Sequence, residues 1–162
     1  MFAKKVSMTL IAGTAVVLLL LTGLQSKVGA QDQGGQSPAG AWITTATSQN
    51  PPDVPPIRGY TTFTQDGSVL ASDDWLADGL GHGSWVRTGN RQFAVTIQGL
   101  FFGPDGTAVA RGKNRATLTS DPSSGELSGR YVFESFDLAT GAPLGGGTGT
   151  VRMTRIRVEP MP

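Results

Sequence analysis

From residue 40 onward, short segments of alternating apolar and polar residues are separated by turn sequences. A period of two is typical of β-strands that bury one face, whereas an amphipathic helix repeats its apolar residues every three or four positions. The turn sequences are rich in residues that accept tight bends: Asp66-Gly67, Thr88-Gly89-Asn90, Gly103-Pro104-Asp105-Gly106 and Asp121-Pro122-Ser123-Ser124. The pattern predicts about eight consecutive strands joined by short turns, with no helix between them.

A meander of this length must either close on itself or leave two strand edges exposed, and closure is the usual solution. We therefore predict an all-β domain over residues 40–158, an eight-stranded antiparallel up-and-down β-barrel, followed by a short tail at 159–162. The chain contains no cysteine, so a packed core rather than disulfides must stabilise the domain.

Strand registers follow from centring each hairpin on its turn residues. They predict the following cross-strand pairs: Trp85 with Phe93, Phe101 with Ala108, Ile97 with Gly112, Leu118 with Leu127, and Arg111 with Glu134. In this frame one face of residues 81–135 is nearly apolar through four strands, while the other face carries the charges.

The predicted interior combines large side chains with small residues on neighbouring strands. The large ones are Trp42, Phe63, Leu70, Trp85, Phe93, Val95, Ile97, Phe101, Leu118, Tyr131 and Phe133. On the last strand, Gly147, Gly149, Val151 and Met153 are placed inside, because the glycines then face Tyr131 and Phe133 and the threonines face outward. The many interior glycines and alanines predict residual space inside the barrel, although a barrel of this size can also be filled by its own side chains.

Candidate catalytic and metal-binding groups are scarce. The only histidine, His82, is placed on the outer face, away from any partner that could orient it for general-base catalysis. One histidine without cysteines is a poor donor set for a transition metal. We expect no catalytic residues, no metal and no cofactor.

The N-terminal thirty residues have the order of a signal peptide. Lys4 and Lys5 precede an apolar stretch, and Val28-Gly29-Ala30 resembles a cleavage site. We expect residues 1–30 to be removed near Ala30, the protein to be exported to the periplasm or the extracellular space, and residues 31–39 to form a flexible linker. The alternative is an uncleaved membrane anchor; cleavage would leave no membrane span.

Charge argues against nucleic acid as a partner. The chain carries thirteen basic and twelve acidic residues. Loss of Lys4, Lys5 and Lys27 with the signal peptide leaves ten basic residues against the same twelve acidic ones. Nucleic-acid binding requires a concentrated basic surface, which this balance does not favour.

Gly40-Ala41-Trp42 on the first strand and Arg155 near the end of the last strand resemble a pattern of the calycin superfamily, above all of lipocalin-type barrels. The resemblance implies that Trp42 and Arg155 meet at a closed end of the barrel, and that the interior binds small apolar molecules. Allene-oxide-cyclase-like barrels are similar in size and topology, and they include cofactor-free cyclases.

These observations predict an exported barrel that binds a small hydrophobic molecule in its interior. The predicted ligand-binding residues are Trp85, Phe93, Ile97, Asn114, Tyr131, Phe133 and Met153, of which Asn114 and Tyr131 supply polar groups. Two alternatives stay open. One is a filled barrel that acts as an envelope or surface interaction module through its outer basic residues, and the other is a cofactor-free cyclase or isomerase.

Overall fold

The computed structural model describes residues 37–74 and 80–161. The predicted signal peptide, residues 31–36 of the predicted linker and Pro162 lie outside these residues. Eight strands follow one another: β1 (Gly40–Asn50), β2 (Ile57–Phe63), β3 (Ser68–Asp73), β4 (Gly81–Gly89), β5 (Gln92–Phe102), β6 (Ala108–Ser120), β7 (Leu127–Asp137) and β8 (Pro143–Arg155). Each strand pairs antiparallel with the next, and β8 pairs with β1, so the sheet closes into a barrel. The predicted fold class is confirmed.

The pairing of β5 with β6 differs from the predicted register by two residues. Phe101 pairs with Ala110 rather than Ala108, and Ile97 pairs with Asn114 rather than Gly112. The loop occupies residues 103–107, and Val109 forms a bulge between the pairs of Phe101 and Phe102. The longer loop and the bulge each move the register by one residue. Because an even shift keeps every side chain on its face, the predicted interior of these strands is preserved.

The same two-residue shift in register occurs at the β4–β5 and β6–β7 hairpins. Trp85 pairs with Val95 instead of Phe93, and Leu118 pairs with Gly129 instead of Leu127. The predicted pair of Arg111 with Glu134 is also wrong, since Arg111 lies opposite Phe136. Glu134 accepts a hydrogen bond from Arg115 Nη2 at 2.9 Å.

At the β2–β3 hairpin, the prediction that Leu70 lies in the barrel interior is wrong. A two-residue turn at Asp66-Gly67 would place Leu70 opposite Phe63, but the loop spans residues 64–67 and Phe63 pairs with Val69. A register shift by an odd number of residues moves each side chain of a strand to the opposite face of the sheet. Val69 is therefore buried at 1% exposure, whereas Leu70 is 41% exposed on the outer surface.

The two ends of the barrel interior differ in how they are packed. At the end where β1 begins and β8 ends, called the closed end, large side chains fill the space: Trp42, Phe63, Val69, Phe93, Leu118 and Leu127. Along β8, Gly149, Val151 and Met153 are buried, while Thr148, Thr150 and Thr154 are exposed. The predicted orientation of β8 is correct, and Gly149 and Gly147 lie opposite Tyr131 and Phe133.

Four turns contain an aspartate that accepts hydrogen bonds from residues that follow or flank it: Asp66, Asp105, Asp121 and Asp137. At Asp137 the carboxylate accepts from the Thr140 hydroxyl and from the Thr140 amide, both at 2.7 Å. These bonds favour the charged carboxylate, with the hydroxyl bond contributing most, and they lower the pKa of Asp137.

A lowered carboxyl pKa in the folded state stabilises the fold above the pKa of the unfolded chain, and this stabilisation is lost as pH falls through the folded pKa. We expect the melting temperature to decline below about pH 5. Asp137→Asn removes one of the four carboxylates, so its melting temperature should decline less over the same range. Thermal melts of both proteins between pH 7 and pH 2.5 test this expectation, and parallel curves would contradict it.

Candidate ligand-binding site

The closed end is sealed by contacts of Trp42 and Arg155. The centre of the Arg155 guanidinium lies 4.3 Å from the centroid of the Trp42 ring. Arg155 also donates hydrogen bonds to the carbonyl oxygens of Ala39 at 2.7 Å and Ser37 at 3.1 Å. The Trp42 indole N–H donates to the carbonyl oxygen of Pro38 at 2.8 Å. These contacts hold residues 37–39 at this end of the barrel.

The opposite end of the barrel, called the cavity end, contains a cavity of about 270 Å³. Its walls are mainly apolar and include Val95, Ile97, Phe101, Phe133, Val151 and Met153. The β1–β2 connection contributes Pro51 and Val54 to the lining. The barrel is thus filled at one end and hollow at the other.

Interior glycines make room for aromatic rings at this cavity. A Cβ added to Gly112 would lie 2.6 Å from the Phe101 ring and 2.9 Å from the Phe133 ring. The two rings meet edge to face, with 6.0 Å between centroids. A Cβ at Gly149 would lie 2.6 Å from the Tyr131 ring. At these two positions neighbouring rings occupy part of the space that a glycine leaves, while Gly112 also lines the cavity, as do Gly81 and Gly99.

Two hydroxyl groups are linked at one side of the cavity. Ser48 donates its hydroxyl hydrogen to the carbonyl oxygen of Pro51, and the Tyr131 side chain is hydrogen-bonded to Ser48. Burial raises the pKa of Tyr131, because the apolar surroundings disfavour the phenolate. Tyr131 is therefore neutral at physiological pH.

Asn114 is the polar side chain at the centre of the β6 wall. It pairs with Ile97 on β5 and with Phe133 on β7, and it lines the cavity. Within the described part of the chain, the Asn114 side-chain amide has no hydrogen-bond partner, and its atoms are not sealed from solvent. This amide is available to a molecule in the cavity.

Among residues 37–74 and 80–161, charged side chains line this site only at its edge. The charged side chains in its lining are Arg58, near the start of β2, and Asp73, at the end of β3. Both positions belong to the cavity end of the barrel. The deeper walls present apolar groups, the Asn114 amide and several hydroxyl groups. Among these, the hydroxyls of Thr44 and Thr61 are hydrogen-bonded to each other at 2.8 Å.

The structure brings five of the seven predicted ligand-binding residues together around the cavity: Ile97, Asn114, Tyr131, Phe133 and Met153. Trp85 and Phe93 do not line it. Phe93 is fully buried in the filled half. Trp85 packs edge to face against Phe93 at 5.8 Å and donates its indole N–H to the Thr64 carbonyl oxygen at 2.9 Å.

Sequence reasoning missed several cavity-lining residues on β1 and in the following loop. Ala46 and Ser48 follow Trp42 at even spacing and so share its inward face. The strand alternation could have identified them. Pro51 and Val54 belong to a proline-rich connection without periodicity, so no sequence pattern places them at the site.

Over residues 37–74 and 80–161, no group of three or more side chains is arranged to hold a metal ion. The same residues include no helix that is both long and apolar enough to cross a membrane. In the comparisons with known proteins, no family model matches the sequence and no curated protein is significantly similar to it.

Proposed function

We propose that this protein is an exported barrel that binds a small hydrophobic molecule in the cavity at its cavity end. The observation that carries the proposal is the apolar cavity of about 270 Å³ inside a closed barrel whose other end is filled. Apolar concave sites with a few polar groups are the usual form of small-molecule sites. The order of residues 1–30 supports export.

Calycin-like ancestry is part of this proposal. It is supported by eight antiparallel strands in simple sequential order and by the contact of Arg155 with Trp42 at the closed end. Barrels of eight strands have interiors that are just filled or that hold one small ligand. The interior of this protein is filled at only one end, which favours an interior that holds one small ligand.

The cavity volume restricts the ligand to a small molecule. An engineered protein cavity of about 150 Å³ binds benzene, so a cavity nearly twice as large suits a molecule of about two fused rings. Turnover by a cyclase or isomerase would require an acid or base beside the substrate. In the described lining the sole carboxylate is Asp73 at the edge, so the neutral Tyr131 is an acid without a carboxylate base beside it, which favours binding over catalysis.

We expect 2-isopropylnaphthalene to bind the full-length barrel with a single saturating site. Amide ¹H–¹⁵N chemical shifts should change at Ile97, Asn114 and Phe133, which line the cavity, and not at the outer strand residues. Ala71→Phe should raise the dissociation constant at least tenfold (about 1.4 kcal/mol), because Ala71 lines the cavity and the added ring occupies it.

The matched control is Leu70→Phe, which places the same ring one residue away on the outer face, where Leu70 is exposed. This variant should bind as the wild type does. Equal loss of binding in both variants, or saturating shifts confined to the outer surface, would refute the cavity as the binding site.

A further inference from the structure

The polar groups of the cavity restrict which ligands it accepts, and this inference rests on the proposed function. From the placement of Asn114 we infer that the ligand is electrically neutral and carries an adjacent hydrogen-bond donor and acceptor, as a primary amide or a lactam does. Asn114 is then the residue that determines ligand specificity.

The first step concerns the unpaired amide of Asn114. It lies between Ile97 and Phe133 across the sheet, with Gly112 and Ala116 as its neighbours on the same face of β6. Such surroundings supply no hydrogen bonds, and polar groups enclosed by apolar walls are nearly always bonded to protein, water or ligand. The amide offers both an N–H donor and a carbonyl acceptor. A ligand group that also has both can pair with it completely.

The second step concerns the Tyr131 hydroxyl. It is hydrogen-bonded to Ser48 on β1, and the Tyr131 ring lies against Gly149 on β8, the residue that pairs with Ser48. Both contacts direct the hydroxyl from β7 across β8 toward β1, whereas Asn114 lies on β6, the neighbour of β7 on its other side. The ligand group that pairs with Asn114 therefore meets this amide alone.

The third step excludes anions. A carboxylate has only acceptors when ionised, so it cannot donate a hydrogen bond to the carbonyl oxygen of the Asn114 amide. In the described lining, the one basic side chain is Arg58, which lies at the cavity end and is exposed. An anion placed beside Asn114 would lose its hydration without gaining a countercharge. Fatty acids and other carboxylates therefore fit this site poorly.

The experiment uses three probes of equal heavy-atom number: 2-naphthamide, 2-naphthoate and 2-isopropylnaphthalene. For the wild-type protein at pH 7 we expect 2-naphthamide to bind at least tenfold more tightly than 2-naphthoate. Asn114→Leu keeps a side chain of similar size and removes the amide. This variant should raise the dissociation constant of 2-naphthamide at least tenfold, while that of 2-isopropylnaphthalene changes less than threefold or falls.

A second variant separates the role of Tyr131. Tyr131→Phe keeps the ring and removes a hydroxyl that is directed toward Ser48, so the preference for 2-naphthamide over 2-naphthoate should change less than threefold. Binding of all three probes that is unchanged by Asn114→Leu, or a preference for 2-naphthoate, would overturn the inference and leave the proposed function intact. Failure of every probe to bind the wild-type cavity would instead overturn the proposed function.

Discussion

Replacement of Trp42 by alanine is expected to lower the free energy of unfolding by about 4 kcal/mol. Trp42 is 1% exposed in the filled half of the barrel, so its removal leaves a cavity that the closed sheet cannot readily collapse. The variant also loses the hydrogen bond to Pro38 and the ring on which Arg155 lies. Urea unfolding followed by far-ultraviolet circular dichroism measures the loss without relying on tryptophan fluorescence.

Trp85→Ala is the matched control for this prediction. Trp85 also donates its indole N–H to a backbone carbonyl, that of Thr64, but it is only partly buried. Its loss should cost about 2 kcal/mol, because less apolar surface returns to water. Equal costs for the two variants, or a cost below 2 kcal/mol for Trp42→Ala, would contradict the assignment of Trp42 to the sealed end.

Gly129→Ala is expected to destabilise the barrel by about 3 kcal/mol, or roughly 10 °C in melting temperature for a domain of this size. An added Cβ would overlap the carbonyl oxygen of Thr117 and lie 2.8 Å from its carbonyl carbon. These atoms belong to the backbone of β6, so they cannot move aside as a flexible side chain can. The β6–β7 pairing must shift instead.

The control for this change is Ser128→Ala on the same strand. Ser128 is exposed on the outer face, and the substitution should change stability by no more than about 0.5 kcal/mol. Thermal and urea unfolding of the two variants test the comparison. A Gly129→Ala barrel as stable as the Ser128→Ala barrel would show that β6 and β7 approach less closely than described.

Which side chains point inward on β4 to β8 could be predicted from the sequence, because alternation depends only on the local period. The partners of those side chains could not. Phe101 pairs with Ala110 because the loop at 103–107 is longer than the turn residues indicate and Val109 bulges. Together these two one-residue shifts leave the buried face unchanged, so the sequence pattern is equally compatible with both registers.

Leu70 shows where the same reasoning fails. A one-residue shift in register at the loop of residues 64–67 moves Val69 inside and Leu70 outside. Both residues are apolar, so the composition of β3 is compatible with either orientation. Turn length decides the outcome here, and it depends on hydrogen bonds such as that from Thr64 N–H to the Ser68 carbonyl oxygen.

The sequence pattern also could not predict the height of each residue, meaning its position along the barrel axis. Phe93 and Ile97 face the same interior, but Phe93 is buried in the filled half while Ile97 lines the cavity. Alternation separates inside from outside, whereas height depends on the stagger between neighbouring strands. This explains why Trp85 and Phe93 were predicted at the ligand site and lie elsewhere.

The pairing of β1 with β8 has a practical consequence for attaching this protein to anything else. Ile156 N–H donates to the Ala41 carbonyl oxygen at 2.9 Å, so the chain enters and leaves the barrel at adjacent points. Both points belong to the sealed base, and the hollow half is at the other pole. A fluorophore, an affinity tag or an immobilising tether joined just before β1 or just after β8 would therefore be attached at the base, leaving the ligand chamber unobstructed.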